Sequence, residues 1–167
     1  PIKILWNGEE LSLNKWDLQR PLHIPKLKDL KGLATKAEFK IDAPSYSVAL
    51  PPYSHHVEKH LHQGLIFNNL PTKMSTGLPI DIHADFLLKA DRESMDLDPG
   101  NNVGRYNHAL LEGCSELLFA TMEEKIKEGR QDIWRFLHRP VGAPIEWVEC
   151  LERTWLGFNL ENIKTYI

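Results

Sequence analysis

Ile80-Asp81-Ile82-His83-Ala84-Asp85-Phe86-Leu87-Leu88 alternates along the chain. Ile80, Ile82, Ala84, Phe86 and Leu88 fall on one face and Asp81, His83 and Asp85 on the other, the pattern of a strand with one buried side. Downstream, Tyr106, Leu110, Cys114, Leu117, Leu118, Thr121, Met122 and Ile126 recur at spacings of three and four. Glu112, Glu116, Glu123 and Glu124 lie elsewhere on the wheel, so this stretch predicts an amphipathic helix with Gly129 as its stop. Pro144 suits the first turn of a last helix, with Ile145, Val148, Leu151 and Trp155 inward and Gly157 closing it. Strands first and helices later is an α+β pattern. The expected fold is a mixed, mostly antiparallel sheet covered by two or three helices.

Working back towards the N-terminus, Ile2, Ile4 and Trp6 alternate with polar neighbours, and Asn7-Gly8 supplies a tight hairpin turn. Glu10 to Leu13 reads as the returning strand. Trp16 to Leu33, with Pro21, Pro25 and many lysines, reads as loop. Glu38–Ile41 and Ser45–Leu50 read as short strands, ended by Pro51-Pro52. Gly64 to Phe67 is a short apolar run, and Asn68 to Gly77 reads as loop. Asp96, Asp98, Pro99 and Gly100 break the chain, and Ile133, Trp134 and Leu137 form a short amphipathic turn before Pro140. This divides one domain into a β-rich part at 1–52, a His-rich loop at 53–63, and a strand-loop-strand unit with C-terminal helices at 64–167.

The chain has 167 residues, of which 42% are apolar and 26% charged, with a formal net charge of -3. That length can bury a core without staples. Cys114 and Cys150 cannot form a disulfide framework, and paired CxxC motifs are lacking. No apolar run spans a membrane, no signal peptide is visible, and the near-neutral charge disfavours a general basic field for nucleic acid. An intracellular, cytoplasmic protein is expected. Because the sequence starts with Pro1 and ends on Tyr166-Ile167, a piece of a longer polypeptide is the expected source.

Three clusters could carry chemistry. His55, His56, His60 and His62 are close, and His56 and His60 stand four apart, a spacing that on a helix aims two imidazoles one way. A catalytic glutamate of the HExxH kind is missing and no third ligand follows from spacing, so a solvated, metal-free loop is the expectation. Lys89, Asp91, Arg92 and Glu93 follow the best strand. There a guanidinium, whose fork matches phosphate, competes with a surface ion pair to Asp91 or Glu93. Lys73 lies among hydroxyls in Thr72-Lys73-Met74-Ser75-Thr76-Gly77; a lysine there can approach a phosphate, although the Walker order is missing. Cys114, Trp134, Trp147 and Trp155 read as core.

Several short motifs occur in strict order: Gly64-Leu65-Ile66-Phe67, Leu70-Pro71, Thr76-Gly77-Leu78-Pro79-Ile80, His83-Ala84-Asp85-Phe86-Leu87-Leu88 and Asp91-Arg92-Glu93-Ser94. Together with Asn101, Asn102 and Asn107 ahead of the long helix, this segment resembles the sacsin and NO VEIN proteins, which carry a chaperone-type ATPase of the GHKL class. Arg-Glu-Ser after the strand is closer to the NO VEIN form. The magnesium-binding helix and the adenine-binding turn of that class have no counterpart here. The resemblance therefore implies the second, transducer-type domain, as in the heat-shock chaperones, downstream of a nucleotide-binding domain. It implies that ATP and magnesium are held mainly by that upstream domain, and that one cation of this chain reaches the γ-phosphate. Arg92 is the first candidate for that contact and Lys73 the second. The upstream domain is the implied partner, with a second copy of the chain as another. The alternatives are a non-catalytic interaction module and a metal-binding module.

Overall fold

The computed structural model describes residues 3–6, 9–12, 17–21, 27–41, 43–50, 63–130, 133 and 140–157. Strands β1 (Lys3–Trp6) and β2 (Glu9–Ser12) pair antiparallel with Trp6 opposite Glu9, the hairpin expected around Asn7-Gly8. A second sheet holds β3 (Asp17–Gln19), β4 (Tyr46–Leu50), β5 (Leu65–Asn68), β6 (Leu70–Ser75) and β7 (Asp81–Ala84), in the order β3-β4-β7-β5-β6. It is mixed: β5 and β7 run parallel and the other pairs antiparallel. With helices α1 (Leu27–Lys36), α2 (Asn102–Lys127) and α3 (Ile145–Gly157), the fold is α+β as expected.

The sheet's apolar face carries Tyr46, Val48, Leu50, Ile66, Ile82 and Ala84, all buried. Against it packs α2, whose Tyr106, Leu110, Leu111, Cys114 and Leu118 are buried, while α1 and α3 pack on α2. Asn101 caps α2 by accepting from the Gly104 N–H at 2.8 Å, which satisfies one of the orphan donors of a first turn. Gly129 ends the helix at φ 87, with Arg130 N–H on the Lys125 carbonyl, as the glycine predicts.

Ile145, expected to face inward on α3, is 62% exposed, because only one side of α3 packs on α2. Three further expectations need correction. The lysine-rich stretch read as loop contains α1, whose Leu30 and Ala34 are buried with Leu33 beside them; three-and-four spacing overrides the upstream prolines. Glu38–Ile41 forms no strand: Glu38 takes φ 65 and Phe39 N–H bonds back to Ala34, closing α1. The segment read as a loop after Asn68 contains β6, turned from β5 by Asn69 at φ 56.

Parallel strands ordinarily need a long crossover, yet only Thr76–Ile80 separates β6 from β7. The chain has merely to pass from one neighbour of β5 to the other, roughly 10 Å or two strand spacings. It arches over Gly64, whose N–H reaches the Leu78 carbonyl (2.9 Å) and whose carbonyl accepts from Thr76 N–H (2.9 Å). A methyl group on Gly64 would lie 1.7 Å from the Ile80 oxygen, so the bridge requires glycine beneath it.

Candidate functional site

After β7 the chain forms a small hairpin. Leu88 bridges Met95, Lys89 N–H reaches the Ser94 carbonyl at 2.8 Å, and Arg92 N–H reaches the Lys89 carbonyl at 2.9 Å. Asp91 organises the tip: its Oδ1 accepts from Glu93 N–H (2.8 Å) and Ser94 N–H (3.2 Å), and the Ser94 hydroxyl lies 3.1 Å from Oδ2. The Glu93 N–H, aided by Ser94 and the charge of Lys89, holds the Asp91 carboxyl below the usual carboxylate range.

The legs of this hairpin are bolted to α2 by Asn107, which is fully buried. Its Oδ1 accepts from Leu87 N–H (2.8 Å), and its Nδ2 donates to the carbonyls of Leu87 (2.9 Å) and Asp96 (2.8 Å). An amide satisfied on both ends in the core fixes the backbone it touches. Arg92 therefore rises from a rigid base. It is exposed, at φ 58, and its side chain makes no ion pair or hydrogen bond among the described residues.

The competing arrangement, a surface ion pair from Arg92 to Asp91 or Glu93, does not form; two other arrangements take its place. Asp91 serves the backbone, and Glu93 is held by Lys73, with Nζ 2.6 Å from Oε2. Lys73 N–H also donates to the Glu93 carbonyl at 3.0 Å. The structure thus brings the two candidate cations to adjacent positions, with Lys73 on edge strand β6 rather than in a flexible loop.

The hydroxyls near Lys73 face inward. Thr72 Oγ1 donates to the Ile66 carbonyl (2.8 Å), Ser75 Oγ to Gly64 (3.1 Å), and the fully buried Thr76 hydroxyl lies between the carbonyls of Leu78 (2.9 Å) and Ile80 (2.8 Å). Trp147 Nε1 of α3 donates to the Thr76 carbonyl at 3.0 Å. Thr76-Gly77-Leu78-Pro79 is a structural bridge, and these hydroxyls are engaged with backbone.

Beside Lys73 runs an open groove of about 660 Å³ that also involves Lys89, Met74, Met95, Asp96 and Glu146. Asp96 accepts from Asp98 N–H (3.0 Å) and the Asn101 amide (3.0 Å), which hold its carboxyl below the usual range. On the far face of the sheet, Leu18, Ala49, Phe67 and His83 line a second, smaller groove of about 290 Å³.

His55, His56, His60 and His62 lie outside the described residues. Among the described residues no group of three or more metal-ligating side chains converges, and no helix is long and apolar enough to cross a membrane. Cys114 and Trp147 are fully buried, and Trp155 packs against Phe119 with ring centres 5.6 Å apart and planes tilted by 47°; Trp134 lies outside the described residues. The sequence reading did not anticipate the roles of Asn107 and Glu93. An amide side chain at helical spacing from Leu110, Leu111 and Cys114, on the mostly apolar face of α2, is the signal that marks Asn107. Compared with known proteins, the chain matches no family model, and no curated protein and no solved structure is significantly similar to it.

Proposed function

We propose that this chain is the transducer-type domain of a chaperone-like GHKL ATPase, in which Arg92 contacts the γ-phosphate of ATP and relays the nucleotide state. The observation that carries this reading is the Arg92 guanidinium, without an ion pair or hydrogen bond among the described residues, on a left-handed residue of a rigid turn. A left-handed conformation costs a side-chain-bearing residue about 1–2 kcal/mol, and strain of this kind gathers at functional positions. A guanidinium fits the group it would meet, because its planar fork donates two parallel hydrogen bonds to phosphate and stays charged. Bound ATP with magnesium would supply the phosphoryl group, held mainly by the upstream domain. The open, mixed-charge groove beside Lys73 is consistent with that division of labour.

The test is Arg92→Ala in the polypeptide that joins this chain to its nucleotide-binding domain. The rate constant kcat should fall on the order of a hundredfold with ATP affinity little changed, since the contact strengthens as phosphoryl charge develops. Arg92→Lys should rescue poorly. Unchanged turnover in Arg92→Ala would overturn the reading. The runner-up is a non-catalytic interaction module. It draws support from Val141 and Ile145, which are 75% and 62% exposed beside the groove, and it would gain if substitutions at both Arg92 and Lys73 were silent.

A further inference from the structure

Glu93 follows Arg92 directly, so the cation at the tip of the hairpin has an acid as its neighbour. Asp91 poses no such problem, because its carboxylate is occupied by the N–H groups of Glu93 and Ser94. What occupies Glu93 is Lys73, through the 2.6 Å ion pair and the backbone bond from Lys73 N–H to the Glu93 carbonyl. Building on the function proposed above, we infer that Lys73 is a positioning residue. It holds the Glu93 carboxylate towards β6, which keeps the Arg92 guanidinium open to an incoming phosphate, and it makes no contact with that phosphate itself.

The physical argument rests on competition. An intramolecular carboxylate within reach of Arg92 reduces the fraction of time the guanidinium is free, and apparent anion affinity falls by that fraction. Exposed ion pairs are weak on their own, and both partners are exposed here, at 76% and 49%. The backbone bond changes the balance: it sets Lys73 beside Glu93 permanently, so little further ordering is needed for the pair to form. Lys73 also cancels the negative charge that an approaching phosphate would meet next to Arg92. Arg92 is then the cation at the tip of the turn with both neighbouring acids engaged elsewhere, while Lys89 stands lower in the hairpin, where its charge acts on Asp91 and Asp96.

The experiment titrates the chain with inorganic tripolyphosphate and follows the backbone amide shifts of residues 89–94 by NMR. Lys73→Ala should weaken binding by roughly two- to fivefold, the size of an exposed pair's coupling. Lys73→Ala combined with Glu93→Gln should restore the affinity of the unaltered chain. Lys73→Ala combined with Glu152→Gln, which makes the same charge change at an exposed position of α3, should restore nothing. The positioning role is overturned if the Glu93 double variant stays as weak as Lys73→Ala, since Lys73 would then contact the anion itself. It is equally overturned if Lys73→Ala binds normally, or if the Glu152 control rescues as well. Failure of the underlying reading looks different: Arg92→Ala would then bind tripolyphosphate as tightly as the unaltered chain.

Discussion

Tyr46 faces α2 at the place where Gly113 leaves room for it; a methyl group on Gly113 would come within 2.7 Å of the ring. Burial there, with the negative charge that Cys114 and Glu116 can carry, pushes the Tyr46 hydroxyl up to about 12. Burial likewise pushes the Cys150 thiol up to about 11. Both groups are neutral in the native state and more acidic when unfolded. Their stabilising contribution is therefore full below the unfolded values, near 9 for the thiol and 10 for the phenol, and is lost as pH rises through the folded ones. The melting temperature should fall from about pH 9 upwards, and Tyr46→Phe should lessen the slope between pH 10 and about 12 while leaving the onset. Burial also pushes up the Tyr106 hydroxyl and the Cys114 thiol, which keep contributing there. Scans of both proteins across that range check this; parallel curves would refute it. At the same scale the candidate site was half legible. The residue types at Arg92 and Lys73 were readable as phosphate-matching cations. That Glu93 would side with Lys73 was not, because the pairing depends on a contact between β6 and the hairpin that no local pattern encodes.

Elements were legible where period and length agreed. Helix α2 repeats its apolar positions over many turns, and the buried half of the strand reading at Ile80–Leu88 holds: Ile80, Ile82, Ala84 and Phe86 are all buried. The ladder itself stops at Ala84, because the chain leaves the sheet for α2 and the hairpin. Strand β6 escaped notice since its sequence, Leu-Pro-Thr-Lys-Met-Ser, carries a proline and little alternation. As an edge strand it tolerates the missing N–H, and tertiary partners rather than propensity define it. The short bridge from β6 to β7 is the element most sensitive to a single atom. Gly64→Ala would force its methyl into the Ile80 and Leu78 carbonyls, at 1.7 and 2.5 Å, and must displace the bridge that anchors Trp147. A loss above about 3 kcal/mol is expected, seen as a fall of roughly 10 °C in melting temperature. A fall of only a degree or two would mean the bridge is not rigid.

At the scale of the molecule, β4 lies between β3 and β7, and its Val48 and Leu50 are completely buried. One of its neighbours, β7, comes some thirty residues later in the sequence, and the helix that covers it, α2, later still. Helix α1 depends on α2 in the same way. A chain truncated to residues 1–101 should accordingly show no cooperative thermal transition by circular dichroism, whereas the full chain should melt cooperatively; a sharp melt of the truncated chain would refute this. The order of these elements also matters at birth. A polypeptide leaves the ribosome N-terminus first, at about 5–20 residues per second, so β4 and α1 emerge well before the surfaces they are shaped to meet. For several seconds their apolar side chains have nothing of their own to bury against. The first half of this domain waits, during every round of translation, for the second.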